Sequence, residues 1–147
     1  MNGLLSVSVS PHIRSRHAFN RVVWIVALAL LPAFIYGVVI FGIRPVFVTA
    51  ITILACVGSE ALIQASRRQK ITIADGSAFL TGFLLALNLP PAVPLWSPVI
   101  GGFFAIVIVK QLFGGLGHNL FNPALAARAF LLLSFPGPLT TGWIPPF

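Results

Sequence analysis

The chain has 147 residues, of which 58% are hydrophobic and 7% charged, with nine Lys and Arg against two Asp and Glu and a formal net charge of +7. A soluble domain carries ~25% charged residues, so there is too little polar surface here to coat a water-soluble globule, and a mean hydropathy of +1.02 points to an all-α polytopic membrane protein. The basic excess does not signal nucleic acid: the bases stand at the ends of apolar runs and the aromatics lie inside them, so no basic groove forms, and the charge reads instead as a topology signal and contact with the lipid bilayer.

Residues 1–20 are polar and weakly patterned, with Arg14 and Arg16 near their end. They are expected as a cytoplasmic N-terminal tail ahead of a single membrane domain over residues 21–147. No cleavable signal peptide is expected, because the first apolar run is too long for an h-region and no small-residue cleavage site follows it. That run, residues 22–43, carries no charge and is long enough to cross ~30 Å of hydrocarbon. Pro32 should kink it, as membrane helices tolerate. Arg44-Pro45 makes a short turn, and residues 46–65 form a second span, interrupted in its last third by Glu60 and closed by Arg67, Arg68 and Lys70.

Residues 77–89 are apolar but short. Asp75-Gly76-Ser77 resembles a helix start with Asp75 or Ser77 as N-cap, and Asn88-Leu89-Pro90-Pro91 is a stop. Two readings stand side by side. In one, a half-span ends here and the proline-rich backbone that follows is buried in protein or lines a cavity; in the other, a kinked span continues to Trp96 at the far interface. Residues 99–113 are the next span, with Lys110 near its end, and residues 123–135 are the last, with Arg128 inside it, broken by Pro136-Gly137-Pro138. The expectation is therefore about five transmembrane or half-transmembrane helices.

Orientation follows from the bases. Arg14, Arg16 and Arg21 precede span one, Arg44 alone lies between spans one and two, and Arg67, Arg68 and Lys70 follow span two. The positive-inside rule then places the N-terminus, the connection after span two and the loop over residues 114–123 in the cytoplasm, with the turn over residues 88–98 outside.

That loop, Gly114-Gly115-Leu116-Gly117-His118-Asn119-Leu120-Phe121-Asn122-Pro123, is the most polar and glycine-rich stretch of the second half. Gly114, Gly115 and Gly117 let the backbone bend tightly and approach another group closely. Asn122-Pro123 is a helix-start signal, Asn at the N-cap and Pro at the first helical position. A tight turn before a capped helix accounts for all of this except Asn119, for which any polar residue would serve. The alternative is a cofactor rim, with glycine backbone close to a flat ring and two carboxamides as hydrogen-bonding groups. The stretch is no dinucleotide fingerprint, since a third glycine and a βαβ unit are both missing.

Arg128 in an apolar helix must face protein or water, or snorkel to the interface. Glu60 is the acid well inside an apolar run; its structural partner would be Arg67, Arg68 or Lys110, and its functional role an ion or proton relay. Ser77 and Thr81 should bond back to their own helix, and Gly101, Gly102 and Ala105 should allow close helix contact. Cys56, the single cysteine, excludes an intrachain disulfide or a cluster held by this chain alone, and no pair of histidines sits at a depth suited to haem. Electrons, if handled, need an organic cofactor or a partner.

Four blocks occur in one order along the chain: Ser10-Pro11-His12-Ile13-Arg14, DGSAFLTGFLLALNLPPAVPLW from Asp75, FFAIVIVKQLF from Phe103, and FGGLGHNLFNPALAARAFLLLSFP from Phe113. Together they resemble the RnfD/NqrB family, the RnfD branch more than NqrB. The resemblance implies one repeat of a urea-transporter-like fold. It implies a membrane subunit of an Rnf-type ferredoxin:NAD oxidoreductase complex in a bacterial or archaeal plasma membrane, carrying electrons by flavin and coupled to Na⁺ or H⁺ transport among other Rnf membrane subunits. It further implies a non-covalent riboflavin near the cytoplasmic side, held by the positions matching Asn119 and Asn122, with Arg128 steadying a reduced, anionic flavin. Family members also attach FMN to a threonine in an S/D-G-A-T-type motif that this sequence lacks, and the chain reads as the N-terminal half of such a protein, active only within a complex. A small-solute channel or transporter and a purely structural membrane subunit are the rival readings.

Overall fold

The computed structural model describes residues 16–68, 73–112, 121–143 and 145. Among them the architecture is all-helical: α1 (Arg16–Phe41), α2 (Arg44–Ser66), a 3₁₀ turn (Ile73–Asp75), α3 (Ser77–Leu87), α4 (Trp96–Phe103) running into a π-helical segment (Phe104–Gln111), α5 (Pro123–Ser134) and α6 (Pro136–Thr141). Two of these helices are long and apolar enough to cross a membrane, residues Asn20–Phe41 and Arg44–Ser66, with mean hydropathies of 2.5 and 2.1. The helical character and these two helices are consistent with a membrane protein.

α2 is the centre of the bundle, packed against α1, α3, α4 and the π segment. Its buried face is a stripe of every fourth residue, Val48, Thr52, Cys56, Glu60 and Gln64, with Thr49 beside it. Such spacing lines up side chains one above the other along a helix. Glycines bring the neighbours in. A Cβ on Gly82 of α3 would lie 2.8 Å from the Ile53 Cα, and one on Gly102 of α4 would lie 2.9 Å from the Ala55 Cβ. Gly101 stands as close to α5, where a Cβ would meet the Leu131 side chain at 2.6 Å. α5 closes the core with Ala124, Ala127 and Leu131, packed with Val48, Leu85, Leu89, Val93, Ala105 and Leu139. Phe130 of α5 also stacks on Phe104 at the start of the π segment, with ring centroids 4.1 Å apart.

α1 is the outlier. It buries Val23 and Ala27 while Val22, Ile25, Leu28, Ile35 and Val39 are each more than half exposed. An apolar face of that size is unusual for a protein surrounded by water and suits a hydrocarbon surrounding. Its attachment to α3 is aromatic, through Trp24 against Phe79 and Phe34 against Phe83. Gly76, at φ +72°, makes the left-handed step into α3 directly beneath α1, where a Cβ would meet Val23 at 3.2 Å. The positive φ favours glycine there, and the close Val23 side chain leaves little room for a Cβ.

Several expectations change. α1 begins at Arg16, so its first turn falls within the stretch read as tail. The N-cap of α3 is Gly76, not Asp75 or Ser77; the Asp75 carboxylate instead accepts from the Ser77 N–H at 2.9 Å, one position earlier than a cap. α3 stops at Leu87, and the longer kinked span to Trp96 does not form, because Trp96 opens a different helix. At eleven residues α3 is ~16 Å long at 1.5 Å per residue. The chain turns through bonds from Asn88 and Leu89 N–H to the Leu85 and Ala86 carbonyls. Pro90 and Pro91, with no N–H to place, are buried, and Ala92 N–H reaches the Gly142 carbonyl at 3.0 Å. The span expected over residues 99–113 starts earlier, at Trp96, and widens into the π segment. Pro136-Gly137-Pro138 ends α5 but also opens the six-residue α6.

Candidate functional site

A buried polar network occupies one end of the bundle, where α2 finishes and α3 begins. Lys110, on the last turn of the π segment, donates from Nζ to Glu60 Oε1 of α2 at 2.6 Å and to Ser77 Oγ of α3 at 2.6 Å. Ser77 Oγ in turn donates to Asp75 Oδ1 at 2.7 Å. Gln64 and Gln111 bring their amide nitrogens to Glu60 Oε1 at 3.3 and 3.4 Å. The Glu60 and Lys110 side chains are 1% and 3% exposed, so neither charge is hydrated, and each depends on the other. Glu60 Oε2 is buried without a hydrogen-bond partner.

The fold makes this meeting possible. Glu60 and Gln64 share the α2 stripe, four residues apart. Ser77 is the first residue of α3, fixed by the left-handed Gly76. Lys110 and Gln111 are successive residues, and both reach the same carboxylate oxygen of Glu60 from the last turn of the π segment. Of the three bases considered for Glu60, Lys110 is the one at bonding distance. Arg67 instead reaches the Gln111 carbonyl at 3.4 Å, and Arg68 is exposed with a positive φ of 50°. Chemically, the network is a continuous hydrogen-bonded line from half-buried Asp75 to fully buried Glu60, with a single cation in its middle.

The second candidate lies at the start of α5. Gly114, Gly115, Gly117 and Asn119 fall outside the described residues. Asn122 is the N-cap of α5 as its sequence position suggests: its Oδ1 accepts from Ala124 N–H at 3.0 Å, and Pro123 follows at the first helical position. Its carboxamide oxygen is therefore committed to the helix, which leaves the amide nitrogen for another group. Arg128 sits on the second turn, and long helical side chains point back toward the N-terminus. Its Nη1 is buried and has no hydrogen-bond partner. That orphaned donor is free to meet a hydrogen-bond acceptor such as a carbonyl oxygen.

Ser77, Gln64 and Gln111 were not singled out as site residues from sequence. Gln64 was readable as a polar residue one turn beyond Glu60 on the same face. Ser77 and Gln111 carried no such signal, because their roles follow from how α3 and the π segment meet α2. Thr81 bonds to the Ser77 carbonyl within its own helix at 2.9 Å, as expected, whereas Ser77, at the first position of α3 with no earlier turn to bond back to, donates its hydroxyl to Asp75 instead.

Residues 6–147 match the model of the NQR2, RnfD, RnfE family. The chain is 51% identical, over 99% of its length and 46% of the relative's, to a subunit of the Na(+)-translocating ferredoxin:NAD(+) oxidoreductase complex of Acetobacterium woodii. It is 46% identical, over 94% of its length and 42% of the relative's, to a subunit of the proton-translocating ferredoxin:NAD(+) oxidoreductase complex of Clostridium ljungdahlii. It is 43% identical, over 95% of its length and 40% of the relative's, to a subunit of the ion-translocating oxidoreductase complex of Aliivibrio salmonicida. The chain thus spans less than half the length of these curated relatives, and with its whole described length inside the match it belongs to the NQR2, RnfD, RnfE family.

Proposed function

We propose that this chain acts as a membrane subunit of an Rnf-type ferredoxin:NAD oxidoreductase complex, passing electrons through flavin in a relay coupled to movement of Na⁺ or H⁺. The observation that carries the reading is the similarity over nearly the whole chain to proteins whose names state ion translocation and ferredoxin:NAD(+) oxidoreduction. The exposed apolar face of α1 supports a position in the membrane. In this reading the domain over residues 21–147 is a five-segment membrane unit of a bacterial or archaeal plasma membrane, with its N-terminus cytoplasmic. Other Rnf membrane subunits cover it in the complex.

Asn119, Asn122 and Arg128, with the loop glycines, would hold a non-covalent riboflavin at the cytoplasmic end. A bound flavin supplies one- and two-electron transfer. The chain's own contribution is to hold the ring by carboxamide and guanidinium donors and to offer a positive charge beside it. Covalent FMN needs a threonine motif that this sequence lacks.

Asn119→Leu is the test, because it leaves the Asn122 cap intact. In the assembled full-length complex this substitution should lower the ratio of extractable riboflavin to protein. Full occupancy with normal electron transfer would remove Asn119 from the site and return the loop to an ordinary turn.

A further inference from the structure

The segment Phe104–Gln111 is π-helical over eight residues. Such geometry is rare, is mostly confined to single turns inside α-helices, and recurs at functional sites. Nothing in FAIVIVKQ forces it: the segment has no glycine or proline, and the α-helical α4 leads straight into it. The wide bonding is kept to the end, where the Leu112 N–H donates to the Val107 carbonyl, five residues back, at 3.2 Å.

The pitch decides which residues face the bundle. Each residue turns an α-helix by ~100°, and a helix bonded five residues apart by roughly 80°. Ala105, Ile106, Val109, Lys110 and Gln111 are buried. At the wider pitch they fall within an arc of roughly 160°, whereas at the α pitch they would spread over roughly 240°. Gln111 would then stand beside Phe104, on the side where Ile108 is exposed. Apolar burial does not choose between the two, because Phe104, Val107 and Ile108 are apolar as well. Lys110 and Gln111 do choose. Both donate to Glu60 Oε1, at 2.6 and 3.4 Å, and a buried charge turned away from its partner is costly. The opposite end of the segment is pinned by the Phe104–Phe130 stack.

We propose that the Glu60–Lys110 pair is a latch that holds this segment at the π pitch, and that loss of the pair lets the segment tighten into a continuation of α4. With Phe104 as the pivot, tightening turns Lys110 away from Glu60 by on the order of 100°. Leu112, where the chain leaves the helix, turns further still. Breaking the ion pair is thereby converted into a rotation of the chain that enters residues 113–122. The latch rests on contacts among α2, the π segment and α5, and not on flavin binding or electron transfer.

Solid-state NMR of the full chain, with isotope labels on the valine carbonyls and on the leucine and glutamine amide nitrogens, reads the pitch directly. In the native chain the Val107 carbonyl should couple more strongly to the Leu112 nitrogen than to the Gln111 nitrogen. The Leu112 signal is assigned by its disappearance in Leu112→Ile. The variant to compare is Glu60→Gln/Lys110→Met, which removes both charges and leaves neither orphaned. There the order should reverse, with the Gln111 nitrogen the stronger partner, as in an α-helix. An unchanged order in this variant would overturn the latch and give the pitch to packing alone. Loss of both couplings would overturn it too, since the segment would have melted rather than tightened. A native chain in which Gln111 is already the stronger partner would remove the π pitch on which the proposal stands.

Discussion

The two ends of the α2 stripe obey one geometry and meet opposite needs. At one end Val48 and Thr49 face an apolar groove that other side chains leave partly unfilled. At the other, Glu60 draws Lys110, Gln64 and Gln111 onto a single carboxylate oxygen. Apolar surface is indifferent to direction, so it accepts any hydrocarbon neighbour, including one not covalently part of the chain. A buried charge needs specific donors at specific distances. The polar end is therefore where α2, α3 and the π segment are locked in register, and the apolar end is where the bundle has slack.

Cutting the polar lock should cost most. Lys110→Met leaves Glu60 buried without its cation, and breaking a buried pair in this way costs ~3–5 kcal/mol. Thermal unfolding in detergent should show a large loss, and the double variant Glu60→Gln/Lys110→Met should recover much of it. Glu60→Gln alone should impair assembly, yet any complex that forms should still move ions. Normal assembly with electron transfer intact and ion transport lost would instead make Glu60 part of the ion path.

The middle of the stripe should come next. Gly82→Ala pushes a Cβ to 2.8 Å from the Ile53 Cα, backbone that cannot swing away. Overpacking of this kind costs ~1–3 kcal/mol, measurable as a lower unfolding midpoint. Unchanged stability would mean that α2 and α3 are free to move apart at this crossing.

Asn122→Ala removes the cap of α5 and should cost ~1 kcal/mol. A loss well beyond that in the presence of flavin, and not in its absence, would show that the residue also holds the ligand. At the slack end, Gly37→Ala meets no neighbour and should raise stability by ~0.5–1 kcal/mol through helix propensity. A fall instead would mean that the groove is already filled against Gly37.

Much of this contrast was legible in the sequence. Long apolar runs bounded by bases located α1 and α2, the first of them free of charge and the second interrupted by Glu60 alone, and Asn122-Pro123 marked the start of α5, because caps are local chemistry. Glu60 announced its need for a partner, since an acid in an apolar helix must find one, but three bases lay at similar depth. The choice among them came from packing between residues fifty positions apart. The π segment was hidden for a different reason. Phe104–Gln111 contains no glycine or proline, and its hydropathy is the same whichever helical pitch it takes. Of the flavin candidates, Asn122 and Arg128 can be placed, while the glycines and Asn119 lie outside the described residues.

The spacing of the Glu60–Lys110 pair also sets an order of events during synthesis. Glu60 leaves the ribosome fifty residues ahead of its cation. At ~5–20 residues per second it waits on the order of seconds. A lone acid at the centre of a membrane helix opposes insertion by ~2.5–3.5 kcal/mol, and less near the end of the helix, where Glu60 sits. The rest of α2, with a mean hydropathy of 2.1, must carry the carboxyl group in unaccompanied or hold it at the interface until the π segment arrives. The contacts that Glu60 makes with Lys110 and Gln111 are thus the last part of this end of the bundle to form, after α2 and α3 have both been made.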